Sequence, residues 1–133
     1  MRLVTLLYGT LSWGIVVLGT VHMLTTAALT AGSAAGRVWF FGAGMAMVLT
    51  GALNLLNRAY GASAVGVRRV CVASNVLMTC FAVVAGVFTN AGLAQFIVVL
   101  GLVGGTTALS FLREPFRVPD VPHRDVPGEM SRR

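Results

Sequence analysis

The first 112 residues of the chain alternate between long apolar runs and short polar connections. The apolar runs lie near residues 3–30, 38–57, 67–88 and 93–112. Each is close to the roughly 20 residues that a helix needs to cross about 30 Å of hydrocarbon. Amphipathic helices of soluble proteins carry a charged face, whereas these runs are charged only at their edges. The pattern therefore predicts four transmembrane helices.

The connections between the runs are short, which makes sequential helices antiparallel neighbours. Beyond the fourth run, the last segment holds all four prolines of the chain: Pro115, Pro119, Pro122 and Pro127. Proline interrupts helices, and a polar, proline-rich segment is typically extended. The sequence predicts an all-α, membrane-embedded antiparallel four-helix bundle over residues 1–112. An extended, proline-rich C-terminal tail follows at residues 113–133.

The composition supports a lipid environment. Only 11% of the 133 residues are charged, against about 25% in soluble domains, and 56% are hydrophobic. All four acids lie beyond residue 113, at Glu114, Asp120, Asp125 and Glu129. The net charge of +6 comes from arginines scattered between the runs and in the tail, and they form no basic helix face with interleaved aromatics. We therefore expect no nucleic-acid partner.

The arginines also predict the orientation of the bundle. Nine of the ten would lie on one side of the membrane: Arg2, Arg58, Arg68, Arg69, Arg113, Arg117, Arg124, Arg132 and Arg133. The other side has only Arg37. Because loops rich in arginine stay on the cytoplasmic side, we expect both termini in the cytoplasm.

Small residues recur at four-residue spacing in the last two runs. Gly101 and Gly105 form a GxxxG motif in the fourth run, and Ala82 and Gly86 form the equivalent small-residue pair in the third. In lipid, where apolar burial gives no driving force between helices, such residues allow the close backbone contact that stabilises helix pairs. We expect these four residues to pack against another helix, within the chain or in a second copy.

Polar side chains recur at helical spacing inside the runs, so those of each run share one face. An unsatisfied polar group in hydrocarbon costs several kcal/mol, so these faces should point into the bundle. The predicted depths sort the candidates for ligand binding into two groups. A cytoplasmic group consists of Tyr8, Asn54, Asn57 and Asn75, and an outer group consists of His22, Thr26 and Gln95. The cytoplasmic group either joins the helices by hydrogen bonds or recognises a lipid headgroup or small solute.

His22 is the one titratable side chain, apart from tyrosine and cysteine, that lies well inside a predicted span. An ionisable residue at that depth is a candidate functional residue. Because no acid lies within reach, we expect a neutral ring that lines the cavity of the bundle. Its expected hydrogen-bond partner is a neighbouring backbone carbonyl, Gln95 or the backbone of the fourth helix.

Metal and haem sites are disfavoured. The methionines near His22 (Met23, Met45 and Met47) are soft ligands that suit copper, but methionine in apolar helices is usually a packing residue. The second histidine of a haem site would have to be His123, which lies in the tail. Cys71 and Cys80 face opposite sides of one predicted helix about 13 Å apart, and they are interpreted as packing residues. We therefore expect no metal and no cofactor.

Three short segments resemble those of a known class of proteins. They are Gly19-x-x-His22-Met23, Trp39-Phe40 at the start of the second run, and the stretch from Gly51 to Asn54. Together with the layout of residues 1–112, they are similar to small bacterial four-helix membrane proteins of the DoxX-like or uncharacterised families. The resemblance implies a four-helix bundle in the bacterial inner membrane and says little about activity.

No signature of an enzyme is present: the sequence lacks a Ser-His-acid set, an HExxH motif and a P-loop. We therefore expect a non-enzymatic membrane protein that packs as a homo-oligomer or as an accessory subunit of a larger membrane complex. Its expected partners are membrane lipids, and its interior would hold a lipid or an apolar ligand. Two alternatives remain open, a pathway for a small solute or ion near His22, and a membrane enzyme that uses His22.

Overall fold

The structure of the chain, a computed structural model, describes residues 2–28, 33–89 and 92–112. Over these ranges it consists of helices and contains no strand. The helices are α1 (Arg2–Ala28), α2 (Ala34–Tyr60), α3 (Val65–Phe88) and α4 (Leu93–Ser110). The prediction of an all-α fold with four helices is confirmed. The predicted tail, residues 113–133, lies outside the described residues.

Helix α2 is longer at both ends than the apolar run that predicted it. It begins at Ala34 because the side chain of Ser33 caps it, accepting a hydrogen bond of 3.1 Å from the backbone of Gly36. At its other end it continues through Arg58 to Tyr60. Hydropathy marks the part of a helix that suits hydrocarbon, whereas caps and turns decide where the helix itself ends.

The helices form a ring in which each packs against its neighbours in sequence and α4 closes onto α1. The α1–α2 pair has the most extensive contact. Gly9, near the start of α1, lies against the side chain of Arg58, near the end of α2. Gly86, near the end of α3, lies against the ring of Phe96, near the start of α4. Both pairs are therefore antiparallel, as the short connections predict.

The backbones of α1 and α2 touch at glycines. A Cβ atom added to Gly19 would lie 2.6 Å from the carbonyl oxygen of Gly44, and one added to Gly44 would lie 2.7 Å from that of Gly19. About two turns further along α2, a Cβ atom at Gly51 would lie 2.9 Å from the carbonyl oxygen of Ser12. A side chain at any of these positions would force the two helices apart, so glycine sets their separation.

One apolar residue from each helix forms the centre of the bundle: Ile15, Met47, Met78 and Val103. Ile15 and Val103 are completely buried. We call these four residues the apolar layer. Polar side chains lie on both sides of it along the bundle axis, with Tyr8, Asn54 and Asn75 towards the α2–α3 turn and His22 towards the opposite end. The layer therefore divides the interior into two separate polar regions.

All four helices are long and apolar enough to cross a membrane. Among the described residues, the distribution of polar and apolar side chains is the reverse of that in a soluble protein. Seven polar side chains are buried: Ser12, Thr50, Asn54, Asn57, Asn75, Thr106 and Ser110. Large apolar side chains such as Leu24, Trp39 and Phe88 are exposed. An apolar surface this extensive marks a face that meets lipid or another protein, so the four candidate spans indicate a multi-pass membrane protein.

Candidate functional site

Four side chains predicted to lie in the cytoplasmic half come together with a cysteine between α1, α2 and α3. We call this group the asparagine cluster; it consists of Tyr8, Asn54, Asn57, Cys71 and Asn75. Each is at most 1% exposed. The helical spacing placed the tyrosine and the asparagines on inward faces. It did not distinguish Cys71 from a packing residue, because a thiol is compatible with either role.

Asn54 and Asn75 form a reciprocal amide pair that joins α2 to α3. Asn54 Nδ2 donates to Asn75 Oδ1 at 2.8 Å, and Asn75 Nδ2 donates to Asn54 Oδ1 at 2.9 Å. Asn54 Nδ2 also donates to the carbonyl oxygen of Thr50 at 2.8 Å. The pair thus satisfies both amides without a ligand, and it fixes the distance between the two helices at this level.

Asn54 Oδ1 is the shared acceptor of the asparagine cluster. Besides Asn75, it accepts from the hydroxyl of Tyr8 and from the thiol of Cys71, whose sulfur lies 3.2 Å away. The Tyr8 hydroxyl in turn accepts from Asn57 Nδ2 at 3.0 Å. These hydrogen bonds join α1, α2 and α3, which is the structural alternative of the sequence analysis.

Asn57 Oδ1 is the single buried side-chain oxygen or nitrogen in the described part of the chain without a hydrogen-bond partner. It lies directly against Gly61, the residue that follows α2, where any added Cβ atom would collide with it. Gly61 therefore gives Asn57 the space it occupies. The amide of Asn57 binds the cluster through its nitrogen alone.

His22 lies on the far side of the apolar layer. Its Nδ1 atom is 3.3 Å from the carbonyl oxygen of Leu18, one turn earlier in the same helix. A carbonyl oxygen can only accept, so Nδ1 is the donor in this hydrogen bond. The ring stacks on Phe40 with 4.4 Å between ring centres and 18° between planes. Of the expected partners, His22 thus uses a neighbouring carbonyl within α1, and not Gln95 or the backbone of α4.

A small cavity of about 90 Å³ lies beside His22 and brings several sequence candidates together. Its lining includes His22, Met47, Ala82, Gly86 and Gln95. We call it the histidine cavity. Thr26 has its hydroxyl bonded to the carbonyl oxygen of His22 at 2.8 Å, so it is satisfied within α1. Within the described ranges, no three His, Cys, Asp or Glu side chains lie close enough together to hold a metal ion.

A larger groove, which the sequence analysis did not predict, lies between α2 and α3. It has a volume of about 650 Å³ and opens to the side of the bundle. We call it the α2–α3 groove; it is lined by Val38, Trp39, Gly42, Ala43, Ala46, Thr50, Ser74, Leu77, Met78 and Phe81. The small side chains at positions 42, 43 and 46 are the sequence signal that accompanies it. Their spacing, however, equally suits a close helix contact, so the signal does not identify a groove by itself.

Two hydroxyl groups in the groove differ from most others in the bundle. Typical Ser and Thr hydroxyls here donate to a carbonyl one turn earlier in their own helix, as Ser12 and Thr106 do. In the part of the chain that the structure describes, the hydroxyls of Thr50 and Ser74 have no hydrogen-bond partner. Thr50 is nevertheless only 7% exposed. Its hydroxyl oxygen is not among the fully buried atoms, so the groove contains a largely sheltered polar atom that a ligand can still reach.

The small residues predicted to pack between helices have different surroundings. Gly105 lies against α1, where an added Cβ atom would be 3.3 Å from Leu11 Cδ1. Ala82 is buried, and Gly86 lies against Phe96. Gly101 is exposed, and a Cβ atom there would meet nothing within 4 Å. Among the four helices that the structure describes, therefore, Gly101 faces no neighbouring helix.

Comparison of the chain with protein-family models, with curated proteins and with solved structures found no match. The resemblance to DoxX-like proteins thus has no support from a family model or a relative. The class is defined by the fold alone, a four-helix bundle with four candidate membrane spans and a polar interior.

Proposed function

We propose that this chain is a non-enzymatic integral membrane protein that binds a lipid or another apolar ligand in the α2–α3 groove. It lies in the bacterial inner membrane with both termini in the cytoplasm, as a homo-oligomer or as an accessory subunit of a larger membrane complex. The observation that carries the proposal is the groove itself, about 650 Å³ in volume and open to the side of the bundle.

The groove has the size and lining of a ligand site. Sites for small molecules are typically about 300–1,000 Å³ and mostly apolar, with a few polar groups that orient the ligand. Aromatic and aliphatic side chains such as Trp39, Leu77 and Phe81 line this one, together with the two free hydroxyls. Because the opening faces sideways between two candidate spans, the molecules that reach it in a membrane are those dissolved in the hydrocarbon.

Helix α4 supports association with a second chain. Gly101 leaves an open notch on the outer surface of the helix, beside the exposed side chains of Ile97 and Val98. A glycine on a lipid-facing surface allows another transmembrane helix to approach closely. Its partner in the GxxxG motif, Gly105, is already used inside the chain against Leu11.

Transport through the bundle is a weaker proposal. The asparagine cluster and the histidine cavity are the two polar regions that a solute would have to connect, and the apolar layer lies between them. An enzyme based on His22 is weaker still, because residues 1–112 contain no acid that could act with it. Binding in the groove requires neither a polar path nor a second catalytic group.

Filling the groove tests the proposal. Gly42 lines it, and a Cβ atom added there meets nothing within 4 Å, so Gly42→Leu should fold normally while its side chain occupies the space of the ligand. Native mass spectrometry of the detergent-extracted protein should show a bound apolar molecule on the parent and a several-fold loss of it on Gly42→Leu. Gly66→Leu is the matched control, because a Cβ atom at that position also meets nothing within 4 Å and the residue does not line the groove. Equal retention by all three proteins would refute the groove as the site.

Orientation is tested by labelling introduced cysteines with a membrane-impermeant maleimide in spheroplasts. Ala62 is exposed in the α2–α3 turn, and Ala34 is exposed at the opposite end, at the start of α2. We expect Ala34→Cys to react in intact spheroplasts and Ala62→Cys to react only after permeabilisation. The native cysteines, Cys71 and Cys80, lie within a candidate span and should remain unlabelled. The reverse pattern would place both termini outside.

A further inference from the structure

One end of the α2–α3 groove lies beside the amide pair of Asn54 and Asn75. Thr50 lies one turn before Asn54 in α2, and Ser74 directly precedes Asn75 in α3. The two free hydroxyls therefore lie beside the point where hydrogen bonds hold the helices together. From there the groove continues along α2 towards Trp39 and Val38. A ligand that enters from the side thus meets its polar contacts at one end of the groove.

The lining also excludes a charged ligand group. The ten residues that line the groove include no Arg, Lys, His, Asp or Glu. A carboxylate or phosphate beside Thr50 would be buried in low dielectric with no counter-charge, which is strongly unfavourable. A hydroxyl or carbonyl group has no such penalty, because each Ser or Thr hydroxyl both donates and accepts a hydrogen bond.

The groove has room for a long chain beyond its polar end. Thr50 and Val38 are twelve residues apart on α2, which corresponds to about 18 Å along the helix. Over this length the walls are formed by small residues of α2, including Gly42 and Ala46, and by Phe81 of α3. A flexible hydrocarbon chain fits a site that is narrow, long and apolar.

From these observations we infer that the ligand is an uncharged amphiphile with a single hydroxyl or carbonyl group on a long hydrocarbon chain. The oxygen binds Thr50 and Ser74, and the chain runs along α2 towards Trp39. This inference rests on the proposed function and specifies the chemical class that the groove selects. On this inference, the groove binds long-chain alcohols, ketones and related molecules and excludes phospholipids and fatty-acid anions.

Quenching of Trp39 fluorescence tests the inference. The chain has two tryptophans, and Trp13→Phe leaves Trp39 as the single emitter. The protein is placed in phosphatidylcholine nanodiscs and titrated with a terminally brominated hexadecanol, whose bromine would lie near Trp39 when its hydroxyl binds Thr50. The comparison probes are the bromoalkane of the same length and the corresponding brominated fatty acid. Trp39→Phe, which retains Trp13 on α1, measures quenching from the surrounding bilayer.

We expect saturable quenching of Trp39 by the alcohol at a several-fold lower mole fraction than by either comparison probe. Thr50→Val and Ser74→Ala should each weaken binding of the alcohol by about twofold to tenfold, the range for one hydrogen bond. Binding of the bromoalkane should not change, which also shows that the variants remain folded. Thr20→Val is the control, because that exposed hydroxyl donates to the carbonyl oxygen of Val16 outside the groove.

The other outcomes separate the inference from the proposed function. If the alcohol and the bromoalkane bind equally and Thr50→Val has no effect, the polar contact is wrong while apolar binding in the groove stands. A preference for the fatty acid would refute the exclusion of charge. If no probe quenches Trp39 saturably beyond the bilayer level measured with Trp13, both the inference and the groove as a ligand site are wrong.

Discussion

Gly44→Ala is expected to destabilise the bundle by about 2–3 kcal/mol, whereas Gly42→Ala in the same helix should be neutral or slightly stabilising. A Cβ atom at Gly44 would lie 2.7 Å from the carbonyl oxygen of Gly19 and 2.9 Å from His22 Cβ. These atoms belong to the backbone and the first side-chain carbon of α1, so they cannot move unless the helix moves. At Gly42 the same atom meets nothing within 4 Å.

The comparison isolates packing because the two substitutions are otherwise alike. Both replace glycine by alanine inside α2, so both gain the same helix propensity, about 1 kcal/mol in water. The free energy of unfolding is measured for each variant in bicelles, together with the parent. Equal stabilities for the two variants would contradict the close α1–α2 contact. A loss of stability in Gly42→Ala but not in Gly44→Ala would contradict the assignment of the groove as open space.

The second large effect is expected at Asn54, whose replacement by alanine should cost about 2 kcal/mol. Three donors lose their shared acceptor: the hydroxyl of Tyr8, the thiol of Cys71 and the amide of Asn75. The carbonyl oxygen of Thr50 loses a donor as well. Hydrogen bonds between membrane helices contribute on average about 0.6 kcal/mol each, and several are removed together here.

A double-mutant cycle between Asn54→Ala and Asn75→Ala separates the amide pair from the rest of the asparagine cluster. Because two reciprocal hydrogen bonds join these residues, we expect a coupling energy of about 1–2 kcal/mol. Thr20→Ala serves as the control, because its hydroxyl is exposed and bonded within its own helix. A coupling energy near zero would show that α2 and α3 are held together by other contacts.

Much of the interior was predictable because hydrocarbon imposes strict conditions on a polar side chain. The helical spacing placed Tyr8, Asn54 and Asn75 on inward faces, and short connections between antiparallel helices placed them at one depth. Their meeting in the asparagine cluster follows from these two facts. The same reasoning placed His22 beside Gln95 at one cavity. Which of its expected hydrogen-bond partners His22 uses was not predictable, since a carbonyl of its own helix lies one turn away and competes with Gln95.

The small residues show where sequence reasoning stopped. A GxxxG motif indicates that a helix has a surface where another helix can approach closely. Which helix packs there depends on how each helix is rotated about its axis. Gly105 faces α1, whereas Gly101 faces away from the bundle, although both belong to one motif. The tightest contact, between Gly19 and Gly44, depends on the register of α1 against α2. No pattern within one helix contains that register.

The sequence by itself determined four apolar helices, their antiparallel order and the inward position of the polar side chains. Each of these follows from the length and spacing of residues along one chain segment. Only the tertiary structure decided which glycines meet, that Asn54 and Asn75 bind each other, and that a groove with two free hydroxyls remains between α2 and α3. A groove is a space that two helices leave unfilled, so it depends on where they touch elsewhere, as at the amide pair of Asn54 and Asn75.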